Sequence, residues 1–271
     1  ICKKIEAKKM ADFLGVASIA EGIELRVEGI ELPVMVQNVN PKHWDVMIEY
    51  CLEPVIHSFE ILHSFLGFLK SKESLANGQY PIHIKLNTGM NRLGFNQTDV
   101  DELVNRLVNQ SSIRVSSIMS HLSSSGNFSA EEFTLRQIRE FESMNVKLKS
   151  SLGINPISHI LNTDGINNFL KYQMDMVRLG IGLYGASEAN DLKNELQPVA
   201  RLTSKVVAIR RVLKGESISY NRSGFVSQDS NIAILSLGYA DGLPRRLGNG
   251  NWQVEINGQL YPTIGNICMD L

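Results

Sequence analysis

Over its first two thirds the chain alternates short apolar runs with longer amphipathic ones, the pattern of a parallel sheet whose strands are joined by helices. Phe13 to Ser18 (FLGVAS) reads as a strand, and a helix follows from about Ile19 to Glu28 with Glu21 and Glu24 outward. Leu32 to Gln37 (LPVMVQ) is the next strand, followed by a helix near Pro41 to Tyr50, a short strand from Pro54 to Ser58 and a helix from Phe59 to Lys72. Ile82 to Thr88 (IHIKLNT) predicts a strand that ends in a glycine turn. A helix near Asp99 to Val108 leads to the strand Val115 to Leu122 (VSSIMSHL) and to a long helix from about Ala130 to Leu152. His159 to Asn162 is a brief strand, and Met174 to Tyr184 closes the series.

That makes seven strands in β/α alternation, whereas a closed (β/α) barrel of the TIM type needs eight. The missing strand is expected before Ile1. Past about Asn190 the pattern changes to the runs Thr203 to Val212, Ile232 to Leu237, Gln253 to Ile256 and Tyr261 to Ile264, joined by the turns NGNW and NGQ. Turn signals at this spacing with no helical period between them indicate an antiparallel β domain. The boundary is expected in the loop near Ala189 to Gln197, giving a barrel over residues 1–193 and a partial β domain over 194–271. Both ends read as cut: the chain opens on Ile1 inside a segment patterned like the end of a helix, and stops at CMDL directly after a strand-like run.

Composition adds little that conflicts with this. A hydrophobic content of 43% and a charged content of 20% describe a globular chain with ample core, and 271 residues suit one barrel plus part of something else. A net charge of -1 gives no reason to expect nucleic acid or an anionic membrane as partner. Cys2, Cys51 and Cys268 lack CxxC or zinc spacing, so no metal site is expected, and a scattered odd set suits a reducing compartment. No apolar run approaches the ~20 residues that span a bilayer.

Candidate chemistry concentrates in MDMVRLGIGLYG, Met174 to Gly185. Apolar residues on both sides of Arg178 read as a strand covered on both faces, and the glycines weaken the helical alternative. An arginine cannot shed its proton to escape burial, so the fold must supply an anion or an acceptor, from the protein or from a ligand. Gly180 lets a backbone N–H approach something bulky, such as a phosphate. An internal arginine–carboxylate pair beside a packing glycine is the other reading of the same residues.

In a barrel the C-terminal ends of the strands face the active site. Lys85 and Asn87 fall there, with a tight turn that presents Arg92; so do His121, Asn162, Thr163 and Arg178. Singly, each has a structural reading as an ion-paired lysine, a satisfied core histidine or a solvated turn residue. Several such residues from four strand ends are harder to dismiss together.

KLNTGMNRLG, SHLSSSG, HILNTDG, DMVRLGIGLYG, ISYNRSGF, LGYADGLPRRL and IGNICMD occur in the order and rough spacing seen in alanine racemases, pyridoxal-phosphate enzymes with a barrel and a β domain. The resemblance covers essentially the whole chain. It implies interconversion of L- and D-alanine, supplying D-alanine for peptidoglycan in a bacterial cytoplasm, with pyridoxal 5'-phosphate as cofactor. Racemisation removes a proton from one face of a planar intermediate and returns it on the other, which two bases serve.

By the same resemblance Arg178 is the partner of the cofactor's pyridine nitrogen, and His121 links it to Tyr220, the base on one face. A tyrosine with a pKa near ~10 needs cationic neighbours to act as a base. Asn162, Thr163, Gly180 and Ile181 resemble the phosphate-binding group. Arg92 resembles the residue that meets the substrate carboxylate, and Lys85 a lysine that is often carbamylated. Asn87 stands where the family usually has aspartate. Met269 and Tyr239 resemble substrate-site residues. In the family these two and Tyr220 come from the partner subunit, so the resemblance implies a homodimer with shared sites.

The family's Schiff-base lysine lies in a motif like VKANAYGHG, which does not occur here. It is expected just upstream of Ile1, and the 271-residue piece alone is expected to be inactive or nearly so. The alternatives are a racemase of broader amino acid specificity, a non-catalytic pyridoxal-phosphate-binding homologue and a degenerate one. ISY and CMD argue against the carrier, which lacks a β domain.

Overall fold

The structure is a computed structural model that describes residues 1–72, 79–187 and 195–271. Contacts divide the chain into two compact units, Ile1–Val199 and Ala200–Leu271. The boundary expected at 193/194 lies outside the described residues.

In the first unit the elements run α1 (Cys2–Ala7), β1 (Leu14–Ser18), α2 (Ile19–Val27), β2 (Val34–Asn38), α3 (Trp44–Glu49), β3 (Leu52–Ile56), α4 (Phe59–Ser71), β4 (Tyr80–Lys85), α5 (Val100–Leu107), β5 (Ile113–Met119), α6 (Glu131–Leu152), β6 (Ile157–His159) and α7 (Thr163–Asn168). The six strands form one parallel sheet in sequence order. This is the curled sheet of a (β/α) barrel, as the apolar runs predict. Strand-to-helix turns are set by caps: the Ser18 hydroxyl accepts from the Glu21 backbone N–H while the Glu21 carboxylate accepts from Ser18 N–H, and Ser58 caps α4 in the first of these ways. Gly153, at φ 64°, ends α6 in the left-handed conformation.

The strands read as continuous apolar runs because both of their faces are covered. One face, with Val34, Val36, Leu52, Ile56, Ile82, Ile84 and Ile118, packs on the helices in a single large core. Trp44, Phe65 and Tyr80 stack there, with ring centroids 4.8 and 5.6 Å apart. The other face lines the barrel interior. Met35, Val55 and Met119 form a separate small apolar cluster on it, with Met176 against them. Strand alternation puts Gln37, Glu53, His83, Lys85, Ser117 and His159 on that same inner face, as the pairings Met35↔Glu53, Val55↔His83, His83↔Ser117, Lys85↔Met119 and Met119↔His159 require.

Met174 to Tyr184 departs from expectation: it is not a seventh strand. Asp175 N–H and Arg178 N–H bond to the carbonyls of Ser158 and Leu161 at 3.1 and 3.0 Å, so the segment lies along the β6 edge. No described strand pairs with its other side. Gly180, at ψ −99°, turns the backbone out of the extended region, and residues Ile181–Tyr184 form a 3₁₀ turn closed by Gly185 at φ 76°.

In the second unit β7 (Val206–Val212) pairs antiparallel with β10 (Ser230–Leu235), β8 (Ser217–Ile218) with β9 (Gly224–Phe225), and β11 (Gln253–Ile256) with β12 (Gln259–Pro262). The last strand starts two residues before the Tyr261 expected for it. Asn257 and Gly258, at φ 52° and 81°, are themselves the two-residue hairpin turn, and that fixes the register Ile256↔Gln259. No described helix is long and apolar enough to cross a membrane.

Phe65 is fully buried at the centre of the helix-side core. Phe65→Ala should lower unfolding free energy by about 3–5 kcal/mol through lost burial and the cavity left behind, as read by chemical denaturation.

Candidate active site

The arginine that needed an acceptor finds several. Arg178 Nη1 donates to His159 Nδ1 at 2.5 Å and to the His159 carbonyl at 3.2 Å. Its Nη2 donates to the carbonyls of Ser120 (2.6 Å) and Ile160 (3.0 Å) and lies 3.3 Å from His121 Nδ1. These acceptors sit at or just past the C-terminal ends of β5 and β6, where the strand ladder stops; the Ser120 and Ile160 carbonyls lie beyond it, and the His159 carbonyl, which also accepts from Ser120 N–H, closes it. Among the described residues no carboxylate touches Arg178. With both terminal nitrogens committed, Nε–H is the donor that has no partner among the described residues.

Because an arginine only donates, the Nδ1 atoms of His121 and His159 are both acceptors, which places each ring's proton on Nε2. Electrostatics agree. Burial, then the neighbouring Arg178, Lys85 and Arg92, pushes His121 down to about 4. His159 is held well below the usual histidine range by burial, then Arg178 and His83. Both rings are neutral at pH 7. Burial lowers Arg178 itself to about 10, which still leaves it a cation.

From His159 the hydrogen bonds continue inward: Nε2 is 2.9 Å from Ser117 Oγ, that hydroxyl is 2.7 Å from His83 Nδ1, and His83 Nε2 is 2.8 Å from Glu53 Oε2. The strand-end reading did not select Ser117, His83 or Glu53, nor His159 as a site residue. They lie inside apolar runs, and the signal that finds them is the period of two: His83 precedes Lys85, and Ser117 precedes Met119 and His121, on one strand face.

Lys85 is buried at the end of β4 with its ammonium 3.3 Å from Gln37 Oε1. Burial, then Arg92 and Arg178, pushes its pKa down to about 8. Beyond it the loop 87–95 folds back beside β4, with Phe95 N–H bonded to the Lys85 carbonyl at 2.9 Å. Asn87 organises this loop: its Oδ1 accepts from the backbone N–H groups of Gly89 and Asn91, and its Nδ2 donates to the side-chain oxygens of Asn91 and Asn96. An aspartate could accept but not donate, so the asparagine suits neighbours that are themselves amides. Arg92 stands exposed in the loop.

On the other side of Arg178, Thr163 Oγ1 accepts from Gly180 N–H (3.1 Å) and Gly182 N–H (3.2 Å). Both glycine N–H groups are thus spent on the threonine hydroxyl, whose own proton is left to donate outward. Gly182, which the sequence reading passed over, is the glycine that this closeness demands. A Cβ there would meet Thr163 Cγ2 at 2.8 Å, whereas one on Gly180 would meet only Thr163 Oγ1, at 4.0 Å. Ile181 lies between them. The Asn162 side chain is used structurally: its Oδ1 caps Gly165 N–H and accepts from Ser125, and its Nδ2 donates to the Leu122 carbonyl.

In the second unit Tyr220, Tyr239 and Met269 are all exposed, and one segment ties them together. Asn266 Nδ2 donates to the Tyr220 carbonyl at 3.2 Å, and Ser219 Oγ donates to the Asn266 carbonyl at 2.9 Å. Tyr239 N–H and Ala240 N–H bond to the carbonyls of Cys268 and Met269. Tyr220 sits among Ser219, Asn221 and Arg222, at φ 68°, 58° and 52°. Each non-glycine residue in that region carries strain, which clusters at functional sites.

A curled parallel β/α sheet with an arginine-centred polar cluster at its C-terminal rim, followed in the chain by an antiparallel β unit, is the architecture of a (β/α) barrel enzyme with its functional end at the strand C-termini. The family model described as the alanine racemase N-terminal domain matches residues 2–188, and that of the alanine racemase C-terminal domain matches residues 199–271. Alanine racemase 1 of Clostridium acetobutylicum is 36% identical over 266 residues, 96% of this chain and 67% of that protein. The structure of an alanine racemase from Clostridium difficile 630 matches with a TM-score of 0.82 at 29% identity, covering 98% of this chain and 69% of that one. One from Bartonella henselae, with covalently bound pyridoxal phosphate, matches in fold with a TM-score of 0.79 at 24% identity, over 96% and 70% of the two chains.

The chain belongs to the alanine racemase family. It is thereby an isomerase of the pyridoxal-phosphate class that acts on a small amino acid.

Lys85 should label as an amine with half-reaction near pH 8, where an ordinary lysine titrates near 10.5. Competitive acetylation followed by peptide mass analysis reads this. A midpoint above 10 would contradict the burial described here.

Proposed function

We propose that Arg178, His121 and Tyr220 form one half of the proton-transfer machinery that interconverts L- and D-alanine, and that Thr163, Gly180 and Ile181 hold the cofactor phosphate. The observation that carries this is the Arg178 guanidinium, fixed through both terminal nitrogens with its Nε–H unpartnered. A donor so held suits the pyridine nitrogen of pyridoxal phosphate. The Thr163 hydroxyl, which accepts from Gly180 N–H and Gly182 N–H and keeps its own proton to donate, suits the phosphate, with Asn162 beside it in the chain and Ile181 between the two glycines.

Bound there, pyridoxal phosphate makes the α-hydrogen of alanine acidic. The residues of this chain do the rest. Because Arg178 stays protonated, it would hold the ring nitrogen as a donor only, and would supply no proton-accepting partner to stabilise a pyridinium there. Neutral His121, accepting from Arg178 at Nδ1, has Nε2–H available to stabilise a Tyr220 phenolate, the base on one face. The family resemblance assigns the base on the opposite face to a lysine in a VKANAYGHG-like motif, which is not among these 271 residues. Arg92 binds the substrate carboxylate, aided by Met269, with Tyr239 narrowing the entrance. Lys85, partly neutral near pH 8, can add carbon dioxide to become an anionic carbamate that orients Arg92; proton loss from nitrogen accompanies the new N–C bond.

Tyr220, Tyr239 and Met269 act in trans on this reading, the exposed loops of one subunit completing the barrel of its partner in a homodimer. The cell compartment is the bacterial cytoplasm, and D-alanine for peptidoglycan is the product that matters there.

In protein extended upstream of Ile1 to include the lysine motif, Tyr220→Phe should cut racemisation by about 10²–10⁴-fold, the usual contribution of a positioned base, while cofactor absorbance is retained. Chiral assay of both directions measures it. Unchanged racemisation would remove Tyr220 from the mechanism.

A further inference from the structure

The hydrogen-bonded series from Arg178 to Glu53 has only one self-consistent arrangement of protons. Arg178 Nη1 must donate to His159 Nδ1, so His159 carries its proton on Nε2 and donates it to Ser117 Oγ. Among the described residues the Ser117 hydroxyl bonds to His159 and His83 alone, so its own proton goes to His83 Nδ1. His83 then carries its proton on Nε2 and gives it to the Glu53 carboxylate. A doubly protonated His83, or one with its proton on Nδ1, would leave the serine hydroxyl accepting twice with nowhere to donate. Ser117, His83 and His159 have at most 1% of their surface exposed, so water cannot supply that acceptor. The links measure 2.5, 2.9, 2.7 and 2.8 Å and cross the sheet from β6 through β5 and β4 to β3.

We propose that Glu53 is a positioning residue for racemisation: through His83, Ser117 and His159 it orders the protons so that a histidine lone pair always faces Arg178. This rests on reading Arg178 as the partner of the cofactor's ring nitrogen. The carboxylate is the one anion in the series and the guanidinium the one cation, with neutral dipoles aligned between them. Each bond polarises the next, and the arginine is held by a basic nitrogen without being neutralised by a direct carboxylate contact. A carboxylate in that place would grip Arg178 from its own side and compete with the ring nitrogen for its charge. Glu53, with 13% of its side chain exposed, lies at the edge of the interior, while the three residues between it and Arg178 are buried.

The test begins without cofactor. Protein labelled with ¹⁵N-histidine and extended upstream of Ile1 should show, at pH 7, His83 and His159 both as neutral rings protonated on Nε2. Glu53→Gln keeps an acceptor and should keep this pattern. Glu53→Leu, or Ser117→Ala should the first fail to fold, breaks the series and should shift the His159 resonances although residue 159 is not touched. With cofactor bound, Glu53→Leu should lower kcat about 10–100-fold, as loss of an outer hydrogen-bonding partner does elsewhere, with KM changed less than about threefold, and Glu53→Gln should restore most of it. An imidazolium at His83 in the parent protein, or His159 signals unmoved in both series-breaking variants, would overturn the proposal. So would a Glu53→Leu enzyme at parental kcat while Arg178→Lys is crippled, an outcome that spares the role of Arg178. Full activity in Arg178→Lys would instead overturn that role itself.

Discussion

Everything at the rim of this barrel depends on placing a cation that cannot be neutralised where little water reaches it. Arg178 is held by three backbone carbonyls and two ring nitrogens, so its charge is distributed over dipoles rather than cancelled by a carboxylate. Carbonyls of this kind are available only where strands end, which is why the arginine lies at the C-terminal edge of the sheet. The segment that carries it gives up regular pairing to reach them: it stays against β6 through two backbone bonds and then turns away at Gly180.

Burial, with that fixed charge adding to it, sets the protonation states around Arg178. His121 and His159 become neutral acceptors, and Lys85 is drawn toward neutrality by burial and by its two arginine neighbours. The result is an electropositive interior with neutral histidines, which suits anionic ligands and gives His121 a proton on the side away from Arg178. The only carboxylate in the hydrogen-bonded series, Glu53, is kept three residues away from the guanidinium, so the site gains polarisation without losing its positive field.

Much of this was readable from sequence. The βα alternation located the first five strands to within a few residues and the main helices; the sixth, expected at His159–Asn162, runs Ile157–His159 and shares only His159, so Asn162 and Thr163 fall at the cap and start of the next helix. What escaped did so for physical reasons. His83, Ser117 and Glu53 are polar positions within apolar runs; counting by two from Lys85 and His121 brings His83 and Ser117 to the inner face, whereas Glu53 is placed there by its pairing with Met35 across the sheet. Met174 to Tyr184 is as apolar as a strand, but pairing is a tertiary property, and composition cannot report that one edge goes unpaired. Gly182 looked like one glycine among three until the approach of Thr163 gave it a reason. Asn162 matched a phosphate-binding motif, yet its amide is spent on capping and loop contacts. The exposed Tyr220, Tyr239 and Met269 had no local pattern at all; only the family motifs singled them out.

The central claim is that a permanently protonated Arg178 donates to the cofactor's ring nitrogen and thereby keeps it unprotonated. ¹⁵N NMR of pyridoxal phosphate labelled at the ring nitrogen and bound to the protein measures this directly. The account predicts the resonance of an unprotonated, hydrogen-bonded pyridine nitrogen at pH 7. A pyridinium resonance would contradict it.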